Sequence, residues 1–223
     1  MARGRSQLKL ALVPVNGGGG KRAGAGPKPA GDEPGVSHRR FVECDGETPV
    51  HVTLRARGHV WNLRSRRCHA IFTAALHGVA GRSDFRVVHF SVLGNHVHLI
   101  VEAEDGSALA RGVKALSGRM AIRLNQLMGR RGPVFADRYH AHVLRTPSEV
   151  ARALAYVLGN FASHALRRGE RVRPAWVDPY SSAAQLGPDG EAPPVRPALS
   201  WLLRAGVWRA REPEAGYGLR AAG

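Results

Sequence analysis

The sequence predicts an α+β domain, an antiparallel sheet with helices packed on one face, preceded by a disordered basic arm. Three observations carry this. Short stretches alternate apolar and polar residues with period two, as strands with one buried face do. Longer stretches repeat apolar residues every three to four positions, as helices lying on a core do. The order is strand, helix, strand, strand, helix, strand, helix, a mixture that suits an antiparallel sheet covered by helices.

The arm comes first. The arm is expected over residues 1–48, of which 1–40 are rich in Gly, Pro, Lys and Arg, as in the run from Gly17 to Pro29. Such a segment buries too little apolar surface to offset its chain entropy. It can track DNA phosphates or serve as a solvated linker. A domain is expected over residues 49–166 and a C-terminal extension over 167–223.

The first strand is Val50, Val52 and Leu54 alternating with His51, Thr53 and Arg55. A loop follows whose bases, with the strand's last arginine, are Arg55, Arg57, Arg64, Arg66 and Arg67. They suit phosphate contact, and Trp61 offers a face on which a base can stack. The alternative is a solvated loop with Trp61 anchoring it to the core. Arg66 to Ala80 reads as a helix, with Cys68, Ile71, Phe72, Ala75 and Val79 facing the sheet. Phe85 to Leu93 is the next strand, with Val88, Phe90 and Val92 on one side.

Gly94-Asn95 is a pair suited to a tight hairpin turn. The strand after it places His96, His98 and Ile100 on one face and Val97, Leu99 and Val101 on the other. The apolar face can take a helix. Two imidazoles side by side at a strand start can reach one metal ion.

Ser107 is expected to cap a helix running to about Met128, with Gly129 as its stop. Leu109, Val113, Leu116, Met120, Leu124 and Leu127 form its apolar stripe. Arg111, Lys114, Arg119 and Arg123 are its polar bases. Pro133 to Arg145 is an extended segment ending in the strand Tyr139 to Leu144. Thr146-Pro147-Ser148-Glu149 starts the last helix, expected to run to about His164. Val150, Leu154, Val157 and Phe161 should be its buried stripe, and Glu149, Arg152, Tyr156, Asn160 and Ser163 a polar one. Beyond Arg167, Trp176, Tyr180, Leu186, Trp201, Leu202, Leu203 and Trp208 are candidates to anchor the extension.

The totals narrow the function. The 223 residues hold 33 Lys and Arg against 17 Asp and Glu, a net charge of +16. That surplus points to a polyanionic partner, nucleic acid above all. Two cysteines in no CxxC pair fit a reducing cytoplasm. No apolar run approaches the roughly 18 residues of a membrane helix.

Asn95-His96-Val97-His98-Leu99 resembles the His-hydrophobic-His signature of the HUH endonucleases. In particular it is similar to the single-tyrosine transposases, including the REP-associated tyrosine transposases. The resemblance runs from about Pro49 to about His164, and the order of elements resembles the ferredoxin-like, RRM-like core of that family. It implies a nucleophilic tyrosine on the helix after the last core strand and an amide ligand four residues on. Tyr156 and Asn160 stand there, one helical turn apart. His96, His98 and Asn160 would carry Mg²⁺ or Mn²⁺. The implied activity is DNA transposition on single-stranded, hairpin-forming DNA through a covalent 5′-phosphotyrosine, by a homodimer. A tyrosine hydroxyl is a poor nucleophile at neutral pH, with a pKa of about 10, so a metal beside the phosphate fits the chemistry.

The chain departs from the family in three places. Phe161 follows Asn160 where Pro is frequent, Gly94 stands where Pro is common, and Gly159 lies inside the helix. A rival pair, His140-Ala141-His142, adjoins Tyr139, which points to the opposite strand face. Two other functions compete: a non-cleaving nucleic-acid-binding protein of the same fold, and an RRM-type RNA binder. The second lacks the paired aromatics on its central strands. A histidine-triad hydrolase is excluded because Ile100 stands where its third histidine would be.

Overall fold

The computed structural model describes residues 42–173, 176–185 and 195–206. The basic arm therefore lies outside the described residues up to position 41, as do Leu186 and Trp208. Seven main elements follow one another as expected: β1 (Val50–Arg55), α1 (Arg66–Ala80), β2 (Phe85–Val92), β3 (His96–Ala103), α2 (Gly106–Leu127), β4 (His140–Val143) and α3 (Pro147–Arg167). The sheet order is β2-β3-β1-β4, and every pairing is antiparallel. This is the order of the ferredoxin-like βαββαβ fold.

One face of the sheet is the main core. Val50, Val52 and Leu54 of β1 and Val97, Leu99 and Val101 of β3 meet Phe72 and Leu76 of α1 and Leu116, Met120 and Leu124 of α2. Two glycines allow close approach, Gly112 of α2 to the sheet and Gly78 of α1 to α2. A Cβ on Gly112 would overlap the Phe85 ring, and one on Gly78 would crowd the Arg119 side chain. Val42 and Cys44 already pack on this core.

The expectation of helices on one face holds for α1 and α2. The third helix takes the other face, where Val150, Ala153 and Val157 pack on Val88 and Ile100. Ile100 projects on the histidine side of β3, and apolar surface there needs its own cover. A β-bulge between Val87 and His89 adds to it. Val87 pairs with Val101 and His89 with Ile100, so Val88 is the extra residue. Val88 therefore sits on the opposite side from Phe90 and Val92, not with them as period-two counting gave.

Two caps differ from expectation in detail. α2 is capped by Asp105, whose carboxylate accepts from the Ala108 N–H at 2.6 Å. A carboxylate also meets the positive end of the helix dipole, and Ser107 instead falls in the first turn, accepting from Arg111. Gly129 follows with φ +62°, the left-handed conformation of a helix stop. α3 starts as read, with a full capping box between Thr146 and Glu149 and Pro147 in the first turn. It continues to Arg167, one turn past His164.

The extension covers the β2 edge. Val92 N–H donates to Tyr180 O at 2.9 Å, and Phe90 N–H donates to Ser182 Oγ at 3.1 Å. Further on, the buried Glu102 carboxylate accepts from Leu199 and Ser200 N–H at 2.9 and 2.8 Å. This seats Leu202 and Leu203 against α3. An edge covered in this way cannot recruit a foreign strand. No helix among the described residues is long and apolar enough to cross a membrane.

Candidate active site

The histidine face is built from three strands. Antiparallel register sets Thr53 opposite His98 and Arg55 opposite His96, and His51 opposite His142 and Thr53 opposite His140. Residues directly opposite share a face, so all these side chains lie on the side that α3 partly covers.

His96 and His98 sit with ring centroids 4.8 Å apart. Each has Nδ1 engaged. His96 Nδ1 lies 2.7 Å from Asn95 Oδ1, a carbonyl oxygen, so this nitrogen carries the proton and donates. His98 Nδ1 lies 3.1 Å from both Thr53 Oγ1 and His51 Nε2. With its proton on Nδ1, His98 keeps the Nε2 lone pair free, as His96 does. His98 Nε2 is buried without a hydrogen-bond partner. An outer partner that fixes the tautomer and aims the other nitrogen is how metal-ligating histidines are held.

Electrostatics keep these rings neutral. Burial, then His96, His51 and His164, push the His98 pKa down to about 3. Burial, then His140 and His142, push His51 down to about 4. His96 is lowered by burial, His164 and Arg55. Neutral imidazole is the form that binds metal.

α3 supplies the rest. Tyr156 is 50% exposed, with its ring edge-on to His98 at 5.1 Å and to His51 at 5.9 Å. Asn160 is buried at 2% exposure, and its Nδ2 has no partner. This corrects the helix stripes. The buried face is Val150, Ala153, Val157 and Asn160, while Leu154 and Phe161 are only partly covered. Asn160 thus faces inward rather than lying in the exposed polar stripe. Tyr156, Asn160 and His164 follow at steps of four. Tyr156 meets His98 and the charge of His164 is felt at both His96 and His98, so the helix face that Asn160 shares with them is turned toward the pair.

Among the described residues no three His, Cys, Asp or Glu side chains are arranged to hold a metal. The candidate centre is two imidazoles and an amide. Two orphaned polar atoms, one on His98 and one on Asn160, fit a site that expects a ligand. The amide can present Oδ1 by a flip that ordinary structures do not distinguish.

The other expected contacts divide. Arg55 is exposed beside His96 on the site's own face. Trp61 is 47% exposed and so does not anchor its loop. Leu63 does that, buried, with its N–H on Gly94 O of the hairpin at 2.9 Å. Arg57, Arg66 and Arg67 are exposed. Arg64 is not available to phosphate: its guanidinium is bonded internally to Asp178 and Val92 O. Arg111 pairs with Asp84 at 2.9 Å. Lys114, Arg119 and Arg123 are exposed on α2, which lies across the sheet from His96 and His98, so these bases form a separate surface.

The rival pair is exposed on the edge strand β4, with β1 between it and β3. Tyr139 packs partly on the main core. Sequence reasoning missed His51, Thr53 and His164. His51 and Thr53 lay in plain alternation on β1, but nothing local said that β1 would pair with β3. His164 was visible as four residues past Asn160.

The sequence matches the family described as "Transposase IS200 like" over residues 49–158. No curated protein matches it. Among solved structures, a REP-associated tyrosine transposase bound to a REP hairpin is 16% identical. That similarity covers 74% of this chain and all (100%) of that one, with a TM-score of 0.51. A candidate transposase from Deinococcus radiodurans R1 is 15% identical over 61% of this chain and 98% of its own, at a TM-score of 0.38. A bacterial tRNA(His) guanylyltransferase-like protein in complex with GTP is 10% identical over 57% and 68%, at 0.41.

Proposed function

The chain belongs, through residues 49–158, to the IS200-like transposase family, and from that premise we propose that it cleaves and rejoins single-stranded DNA with Tyr156 as nucleophile. The observation that carries the reading is the meeting of Tyr156 with His98. The tyrosine ring lies 5.1 Å from an imidazole whose Nε2 is buried and unpartnered.

Tyr156 Oη attacks a backbone phosphorus, the Tyr–O–P bond forms, and the P–O3′ bond breaks. The phenolic proton is lost, the 3′ oxygen gains one, and the chain holds a 5′-phosphotyrosine beside a free 3′-OH. Religation on another end reverses the step, since the phosphotyrosine keeps the energy of the broken phosphodiester. His96, His98 and Asn160 would hold Mg²⁺ or Mn²⁺, which when bound withdraws charge from the phosphate and aligns it. Thr53, His51 and Asn95 fix the two ring tautomers. Arg55 offers its charge to the DNA backbone on the same face, and Trp61 a ring on which a base can stack.

A hairpin-forming single strand is the substrate this reading favours, by analogy with the hairpin bound to the structural relative. Within a single chain Tyr156 already lies beside His98, and a homodimer is what the resemblance implies. The test is a pool of labelled single-stranded hairpins with Mn²⁺, run on a denaturing gel. A protein-linked band mapped by mass spectrometry to Tyr156 is expected. An adduct on Tyr139, or cleavage that leaves no adduct, overturns the assignment.

A further inference from the structure

The C-terminal half of α3 carries Asn160, yet little apolar packing holds it. Val150, Ala153 and Val157 bury the first part of the helix. Past Val157 only Asn160 and Ala165 are buried, and Gly159 weakens the helix between them.

What does grip this half is a stack centred on Arg64. Its guanidinium lies 3.7 Å from the Phe161 ring centroid and 4.3 Å from that of Tyr180. Its two terminal nitrogens reach the two oxygens of Asp178, both at 2.8 Å, and one also donates to Val92 O at 2.8 Å. Asp178 is buried and accepts from Tyr180 N–H as well. Trp176 closes on the Phe161 ring, with centroids 5.4 Å apart. A planar cation with a bidentate carboxylate and an aromatic ring on each side has one geometry, which lysine cannot reproduce. The stack ties the loop before α1, the end of β2, the extension and α3 into one unit, and Phe161 is the residue next to Asn160. Phe161, Tyr180 and Asp178 all lie outside the residues that match the family.

We propose that Arg64 and Asp178 are positioning residues: through Phe161 they hold α3 so that the Asn160 amide faces the His96–His98 pair. The extension is then part of how the metal centre is assembled, beyond covering a sheet edge. This rests on the reading of Asn160 as a ligand given above.

The test is a Mn²⁺ titration of the purified full chain by electron paramagnetic resonance, with hydrogen exchange on the same samples. Arg64→Lys and Asp178→Asn should each raise the Mn²⁺ dissociation constant about tenfold, the scale of a lost supporting contact. Amides 160–167 should exchange faster while 150–157 stay protected. In an Asn160→Ala background, Arg64→Lys should add less than about twofold, because residues acting through one contact are not additive. Should Arg64→Lys fail to fold, Phe161→Leu removes the stack and leaves the ion pair, and the same lack of additivity is expected. Wild-type affinity in Arg64→Lys, or an effect that adds in full to Asn160→Ala, overturns the positioning role alone. A wild-type chain that binds no Mn²⁺ overturns the metal-centre reading and this inference with it.

Discussion

The two faces of the sheet share their strands and differ in almost everything else. On one, Val50, Val52, Leu54, Val97, Leu99 and Val101 meet α1 and α2, and every one is buried among apolar neighbours. On the other, the same strands present His51, Thr53, Arg55, His96 and His98, and α3 covers them only in part. The first face is almost wholly apolar, and its few unpartnered buried atoms, His69 Nε2 and Asn125 Oδ1, lie on the covering helices and not on the strands. The second keeps three buried polar atoms without partners, on His98, Asn160 and Ser91, the last opposite His98 in the β2–β3 register. Such atoms cost about 1–3 kcal/mol each. One face carries enough stability that the other can hold chemistry that folding alone would not favour. Period-two alternation is what separates the two tasks along one strand.

The sharpest way to break the comparison is to remove function from one face without touching the other. Tyr156→Phe should abolish the covalent DNA adduct on a denaturing gel while the thermal melt and hairpin binding stay at wild type. His98→Ala should likewise end metal-dependent cleavage and spare DNA binding, which rests on arginines. Loss of hairpin binding in Tyr156→Phe would mean that the hydroxyl holds the DNA rather than attacking it.

The converse change is made across the sheet. Leu116→Ala on α2 should cost about 2–5 kcal/mol in urea unfolding, as a buried leucine truncation does. Mn²⁺ affinity of the folded fraction should not move. A parallel loss of Mn²⁺ affinity would show that the faces are not independent.

Acid acts most strongly on the histidine face, which holds the two largest shifts. His98 and His51 titrate near 3 and 4 in the fold, against 6.5 for the free side chain. Below pH 6.5 the unfolded chain takes up protons that the folded rings refuse, so folding stability falls as pH drops toward 4. Urea midpoints of the metal-free protein should decline over that window in wild type. The decline should be shallower in a His51→Gln, His98→Gln double variant.

The smallest effect is expected at Gly159. A Cβ there would meet open space, so Gly159→Ala should stabilise α3 by about 1 kcal/mol through helix propensity. A raised melting temperature with unchanged adduct formation is the expected result. Slower adduct formation would indicate that the glycine gives α3 freedom the reaction uses.

Much of this was legible along the chain. The seven main elements stand where the apolar periods put them, and the Thr146–Glu149 capping box and the His96/His98 face were readable within a few residues. The errors share a cause. Period two puts Val88 on the wrong face because a bulge breaks the alternation without a local sign. Ser107 and Asp105 are both good caps, and the helix uses the one two residues earlier. Arg64 reads like the exposed arginines beside it because its partner, Asp178, lies 114 positions away.

By itself the sequence determined which residues share a face wherever the strand or helix is regular, since side-chain direction follows from backbone geometry within a few residues. It therefore determined the histidine pair, the Tyr156–Asn160 step and the basic character of the chain. Only the tertiary structure decided that β1 lies beside β3, so that His51 and Thr53 support His98. It also decided that α3 crosses to the histidine side and that Arg64 turns inward to the extension. Those outcomes depend on pairings between distant segments, whose energies come from burial of a shared surface and cannot be read from either segment alone.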